Sequence, residues 1–153
     1  MWYYIYGGVS LVKKCLVVIS IMCLALLAGC GGSKVLTCKI SKTSMGINIA
    51  QVATVKFNSD KIDSMSQTIT IKLPDSYKSL INTFVSTYQK QYEKQFTGSK
   101  VNAKKVGDAE IEVTIDSDYK NMSEADKKSS GMSGAEDYET NRKQLEKAGY
   151  TCE

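Results

Sequence analysis

Cysteine is the residue type with the most varied chemistry in this chain, which contains five cysteines and no histidine among its 153 residues. The lack of histidine removes the commonest general base, the Ser–His and Cys–His nucleophile pairs, and most zinc sites. The chain also has no glycine-rich phosphate loop, no His-Glu-x-x-His and no Gly-x-Ser-x-Gly, so nucleotide hydrolysis, zinc proteolysis and serine esterase chemistry lack their usual signatures. A Ser–Lys pair remains open, but the composition favours a protein that is not an enzyme.

Cys30 ends an apolar segment whose layout is typical of a secretion signal. Lys13 and Lys14 come first, an uncharged run from Cys15 to Leu27 follows, and two small residues precede Cys30. The run is shorter than the span of about 20 residues that crosses a bilayer comfortably.

The four residues that end at Cys30, Leu-Ala-Gly-Cys, resemble the lipobox of bacterial lipoproteins. This resemblance implies a diacylglyceryl thioether on Cys30, with cleavage of the chain just before it; no other cofactor is expected. We predict a lipoprotein signal peptide at 1–29, a lipidated cysteine with a short tether at 30–34, and a single α+β domain at 35–153. The protein is then held by lipid at the extracytoplasmic face of the cell membrane.

The remaining cysteines are divided by the predicted cleavage. Cys15 and Cys23 leave with the signal peptide, so Cys38 and Cys152 remain, one near each end of the mature chain. Two leftover cysteines in an exported chain predict one disulfide, with two buried free thiols as the alternative. The bond is expected to be structural, because no Cys-x-x-Cys is present to lower a thiol pKa.

The charges of the mature chain are distributed unevenly. Residues 30–105 carry a net charge of +8, whereas residues 106–153 carry −6. One interpretation is that the two halves neutralise each other in the fold. The other is a lysine-rich surface, with Lys39, Lys56 and Lys72 as candidate binding residues, that faces anionic lipid headgroups, an anionic wall polymer or an envelope protein. Nucleic acid is not expected as a partner, because no basic and aromatic motif suggests it.

A row of acidic residues follows the outward phase of one predicted strand, at Asp108, Glu110, Glu112, Asp116 and Asp118. Side chains on one strand face repeat at about 6.5 to 7 Å. The row could be a solvated face paired with Lys100, Lys104 and Lys105 across a hairpin. The alternative is a calcium site at Asp116 and Asp118, although the residues that follow do not match an EF-hand loop.

Hydrophobic periodicity predicts the elements that position these residues. Apolar alternation indicates three strands at 35–41, 47–57 and 65–73, with Cys38 facing inward. Apolar residues at three-and-four spacing from Tyr77 to Phe96 predict a long amphipathic helix that packs on the sheet. A hairpin is expected from Lys100 to Asp116, and a capping box at Ser133 and Glu136 predicts a final helix.

Gln51 interrupts the apolar face of the second predicted strand. A buried amide needs hydrogen-bond partners, so we expect a bulge that turns Gln51 outward. A small polar pocket between sheet and helix is the alternative.

The order of elements and the ending Gly149–Cys152 (Gly-Tyr-Thr-Cys) resemble the YehR-like family of small bacterial lipoproteins. That resemblance implies an α+β fold with an antiparallel sheet and no particular activity. We therefore predict an antiparallel sheet of about five strands in βββαββα order, with the long helix and a C-terminal helix packed on one face. The expected role is a non-enzymatic binding or interaction module at the cell envelope. A carrier of a small ligand or metal ion is the alternative, followed by an envelope enzyme without histidine.

Overall fold

A six-stranded antiparallel sheet organises the part of the chain that the computed structural model describes, residues 32–129 and 137–153. The strands are β1 (Lys34–Ser44), β2 (Ile47–Asn58), β3 (Lys61–Lys72), β4 (Lys100–Gly107), β5 (Glu110–Ser117) and β6 (Thr151–Cys152). The helices are α1 (Ile81–Gln95), α2 (Glu124–Ser129) and α3 (Tyr138–Lys147), and Asp75–Leu80 and Tyr119–Asn121 form short 3₁₀ turns. The fold class is α+β, and the strand count exceeds five because Thr151–Cys152 pairs with β1.

The first three strands form the predicted antiparallel meander. In the turn between β2 and β3, Ser59 and Asp60 adopt φ angles of 50° and 62°, which suit a two-residue hairpin between twisted strands. The pairing of β2 with both neighbours is continuous through Gln51, so the bulge predicted there is wrong. The observed irregularity between β2 and β3 lies at Lys56 and Phe57.

A helical segment carries the chain across the sheet before β4 begins. The predicted long helix is divided into the Asp75–Leu80 3₁₀ turn and α1, and α1 contacts β4 and β5. Gly98 follows α1 with a φ of +76°, and a Cβ at this position would lie 3.1 Å from the Asp126 side chain. The positive φ therefore favours glycine, and a larger residue would also have to displace the Asp126 side chain. The resulting strand order is β4-β5-β3-β2-β1-β6, which places β5 inside the sheet.

The helices cover one face of the sheet and bury two hydrophobic clusters. The first cluster lies under α1, and Phe84, Val85, Tyr88, Tyr92 and Phe96 pack on it, so this part of the predicted stripe is a packing face. The predicted stripe begins too early, because Tyr77 and Leu80 lie in the 3₁₀ turn and are 41% and 49% exposed. The second cluster lies under α3, which contributes Tyr138 and Leu145. The buried members of the first are Ile69, Ile71, Leu73, Ile81, Ile111, Val113 and Ile115, and those of the second are Leu36, Cys38, Val55, Phe57 and Ile62.

The C-terminal elements return the chain to β1. Asp137 caps α3 by accepting a hydrogen bond from the backbone N–H of Thr140 at 2.8 Å; the predicted capping residues Ser133 and Glu136 lie outside the described residues. After α3, β6 pairs antiparallel with β1, and Cys38 and Cys152 are joined by a disulfide. This is the pairing that the cysteine count predicts, and it ties together positions 114 residues apart.

Candidate functional site

The face of the sheet opposite α1 and α3 is a candidate surface that is rich in threonine and serine. Strand alternation assigns these residues to one face, because their neighbours in sequence point into the two hydrophobic clusters. The register aligns Thr114 with Thr68, and Thr68 with Val52. We call this surface the hydroxyl face and define it by Thr37, Ala50, Val52, Thr54, Ser66, Thr68, Thr70 and Thr114, all of which are partly exposed.

The three lysines predicted to bind a partner lie on the hydroxyl face but not together. Lys72 aligns with Asn48 of β2, Lys39 aligns with Val52, and Lys56 belongs to β2 itself. The corresponding positions on β2, Asn48, Val52 and Lys56, are four residues apart, so successive lysines are separated by about 13 Å along the strand direction. Lys39 is also ion-paired with Glu153, with 2.6 Å between Nζ and Oε1. The lysines therefore surround an uncharged centre rather than forming one basic patch.

Three of the five residues in the predicted acidic row have partners on neighbouring strands. The predicted strand is too long, because β5 spans Glu110–Ser117 and leaves Asp108 in the turn before it and Asp118 just after it. Glu112 forms an ion pair with Lys104 of β4, with 2.8 Å between Oε1 and Nζ. Asp116 accepts a hydrogen bond from the hydroxyl of Ser66 of β3 at 2.7 Å. Asp108 lies 3.7 Å from Lys105. These contacts support the interpretation that oppositely charged halves of the sequence neutralise each other across the hairpin.

The candidate calcium ligands have ordinary polar partners. Asp116 is bonded to Ser66, and Asp118 accepts a hydrogen bond from the Asn121 side chain at 2.8 Å. Within residues 32–129 and 137–153, no group of three or more Asp, Glu, Cys or His side chains is arranged to hold a metal ion.

On the helix-covered face, a short polar row separates the two hydrophobic clusters. The Gln51 amide donates to Oε1 of Gln67 at 3.2 Å, and Gln67 in turn points its amide at the Met65 sulfur. Tyr150 is bonded to Gln51, and burial raises the pKa of the Tyr150 hydroxyl. Gln51 thus stays inward and finds amide and phenol partners.

Sequence reasoning found Gln51 but missed its two partners. Gln67 carries the same signal, because it interrupts the apolar phase between Met65 and Ile69. Tyr150 carries none, since it lies in the three-residue connection between α3 and β6, and only the return of β6 to β1 brings it beside Gln51.

The predicted lipid attachment residue, Cys30, lies outside the described residues. The described chain enters β1 at Lys34, beside the turn between β2 and β3, where Lys34 is ion-paired with Asp60 at 2.8 Å. Among the helices that the structure describes, none has the length and apolar character needed to cross a bilayer.

Comparison with known proteins supports the fold and goes no further. No protein-family model matches the chain, and no curated protein matches it. An NMR structure of a protein from Streptococcus pneumoniae TIGR4 is similar, with a TM-score of 0.54 and 14% sequence identity over 82% of this chain and 88% of that one. At this level of identity the similarity describes architecture alone.

Proposed function

We propose that this protein is a lipid-anchored binding module of the YehR-like type, held by Cys30 at the extracytoplasmic face of the cell membrane. The observation that carries the binding role is the hydroxyl face, on which no helix of residues 32–129 and 137–153 packs, and which is rich in hydroxyl groups and bordered by charge. Such a face is suited to contact a flat partner surface through many short hydroxyl groups, whereas a catalytic cleft requires converging polar groups.

Two further features support the anchored location. The Leu-Ala-Gly-Cys motif ending at Cys30 supplies the lipid signal, and the Cys38–Cys152 disulfide is typical of an oxidising compartment. The tether from Cys30 to Ser33 extends at most about 14 Å, and it joins the sheet at the β2–β3 turn end. The domain then lies close to the membrane, where a partner within the envelope is within reach.

The anchor is tested by mass spectrometry of the protein purified from its membrane. We expect a mature chain that begins at Cys30 with a diacylglyceryl group, and we expect Cys30→Ala to remove the lipid and leave the protein uncleaved. Cys23→Ala is the matched control, because Cys23 lies in the same apolar run without the lipobox residues before it. A native chain that retains residues 1–29 and carries no lipid on Cys30 would contradict the anchor.

The binding surface is tested separately by placing a photo-crosslinking amino acid at Val52, in the middle of the hydroxyl face, in living cells. Lys90, exposed on α1, is the control position. We expect an adduct with one envelope protein from Val52 and none from Lys90. An adduct that disappears after enzymatic digestion of the wall would identify a polymer as the partner, and equal labelling at both positions would reject the hydroxyl face.

A carrier of a small ligand is the second candidate, and the polar row of Gln51, Gln67 and Tyr150 favours it. Polar groups placed within an apolar surface are the usual means of orienting a small ligand. Native mass spectrometry of the purified protein distinguishes the two functions, because a carrier retains a bound small molecule whose mass is lost in Gln51→Leu. A ligand-free mass in both proteins favours the binding module.

A further inference from the structure

The two edges of the sheet are treated differently by the fold. At the β4 edge, the Gln89 side chain of α1 takes the place of a neighbouring strand. Its amide nitrogen donates to the carbonyl oxygen of Val101 at 3.0 Å, and its oxygen accepts from the backbone N–H of Ala103 at 2.5 Å. One side chain thus occupies a donor and an acceptor that would otherwise be open to a passing strand.

At the other edge, β6 covers only part of β1. Thr37 exchanges two backbone hydrogen bonds with Glu153, at 3.0 and 2.9 Å, and the pairing with β6 ends at Lys39. Because antiparallel hydrogen bonds alternate in direction along a strand, the backbone groups of Ser41 and Thr43 point to the same side as those of Thr37. In the described ranges nothing pairs with them there. We call this stretch of β1, Ser41–Ser44, the open edge.

We propose that the open edge binds an extended segment of another protein, which adds as a further strand and presents an acidic side chain to Lys42. Strand addition at an exposed sheet edge is an established mode of peptide recognition, in which main-chain bonds supply affinity and alternate side chains supply selectivity. The proposal depends on strand geometry alone, so it is independent of the hydroxyl face and of the lipid anchor.

The side chains around the open edge indicate the chemistry of the partner. Lys42 is exposed and has no ion-pair partner within the described part of the chain. It aligns with Ile49, which is 43% exposed, and Ile40 precedes it on the same face. An incoming strand therefore meets one cation with Ile40 on one side of it and Ser44 on the other, which favours an acidic residue with an apolar residue two positions away on the Ile40 side.

A second copy of this chain fits the open edge less well. A two-fold antiparallel pairing that aligns Ser41 of one copy with Thr43 of the other places the two Lys42 side chains directly opposite each other. Like charges in that position are destabilising, so the structure favours a partner of different sequence.

The test uses the full chain in detergent and two phage-displayed libraries of ten-residue peptides. The libraries are identical except that the central position is glutamate in one and lysine in the other. We expect enrichment from the glutamate library, and the bound peptide should slow hydrogen exchange at the Ser41 and Thr43 backbone amides. Thr43→Pro removes the edge N–H and should weaken binding by about fivefold or more, whereas Thr43→Val removes the hydroxyl, keeps the N–H and should bind as the parent does.

Several results would overturn the proposal. Failure of both libraries would mean that Lys42 only protects the edge from aggregation, a common use of edge lysines. Enrichment from the lysine library, or exchange protection elsewhere on the protein, would place recognition outside the open edge. Slow exchange at Thr43 before peptide is added would show that the chain covers its own edge. Protection that rises with protein concentration alone would identify a second copy as the occupant.

Discussion

Reduction of the Cys38–Cys152 disulfide is expected to lower the free energy of unfolding by about 5 kcal/mol, because the bond closes most of the domain into one loop. The sequence separation is 114 residues, and the chain-entropy relation for a loop of this length gives about 16 cal/mol/K, or about 5 kcal/mol at 25 °C. Domains of this size unfold with about 5 to 15 kcal/mol, so reduction should remove about a third or more of the stability.

The measurement is urea unfolding followed by circular dichroism, with and without a reductant that reaches the buried sulfur of Cys38. With a slope of about 1 to 3 kcal/mol per molar urea, the midpoint should fall by about 2 M or more. The control is the double variant Cys38→Ala/Cys152→Ala, whose unfolding should not respond to the reductant. A change below about 1 kcal/mol in the native protein would refute the argument, because it would mean that no such bond constrains the unfolded chain.

Three further outcomes are expected. Gln89→Leu removes both hydrogen bonds to β4 and should lower the free energy of unfolding by about 1 to 2 kcal/mol. Light scattering should also show association of this variant that increases with protein concentration. A monomeric variant of parental stability would contradict the conclusion that Gln89 covers the β4 edge. Hydrogen bonds from Thr140 hold the pKa of Asp137 below its usual value of 3.8, so the stabilising effect of this carboxylate is present above about pH 4 and is lost as the pH falls through the lowered pKa. Thermal melts should show this loss in the parent but not in Asp137→Asn, which keeps the helix cap. If the melting temperatures of the two proteins changed in parallel with pH, the stabilising role of the Asp137 charge would be rejected. Gln51→Leu removes a hydrogen bond that lowers the pKa of Tyr150, so the Tyr150 ring resonances should titrate at a higher pH than in the parent. An unchanged or lower pKa would contradict the contact between Gln51 and Tyr150 in the polar row.

Local patterning was enough to predict most of the elements and their buried sides. The alternation in β1 places Leu36 and Cys38 inward, and the helical spacing of Phe84, Tyr88 and Tyr92 matches the face that packs on the first cluster. These predictions succeed because side-chain direction in a strand or helix depends on backbone geometry within a few residues.

Predictions that depend on neighbours far along the chain were less successful. The sequence predicts a bulge at Gln51 because no partner for its amide is visible nearby in the sequence; the partners, Gln67 and Tyr150, lie on another strand and near the C-terminus. The candidate lysines Lys39 and Lys72 share a face, but their separation follows from the register of three strands, which single-strand patterns do not contain.

The sequence by itself determined the inward phase of β1, β2, β3 and β5, the amphipathic helix and the pairing of the two remaining cysteines, because each follows from local periodicity or from counting. Only the tertiary structure decided that β5 also pairs with β3, where Asp116 meets Ser66. It also decided that Gln89 covers one edge of the sheet while β6 leaves Ser41–Ser44 open at the other. The physical reason is that strand order and edge coverage are set by how α1 and α3 cross the sheet and pack on it, and many contacts between distant residues act together in that choice.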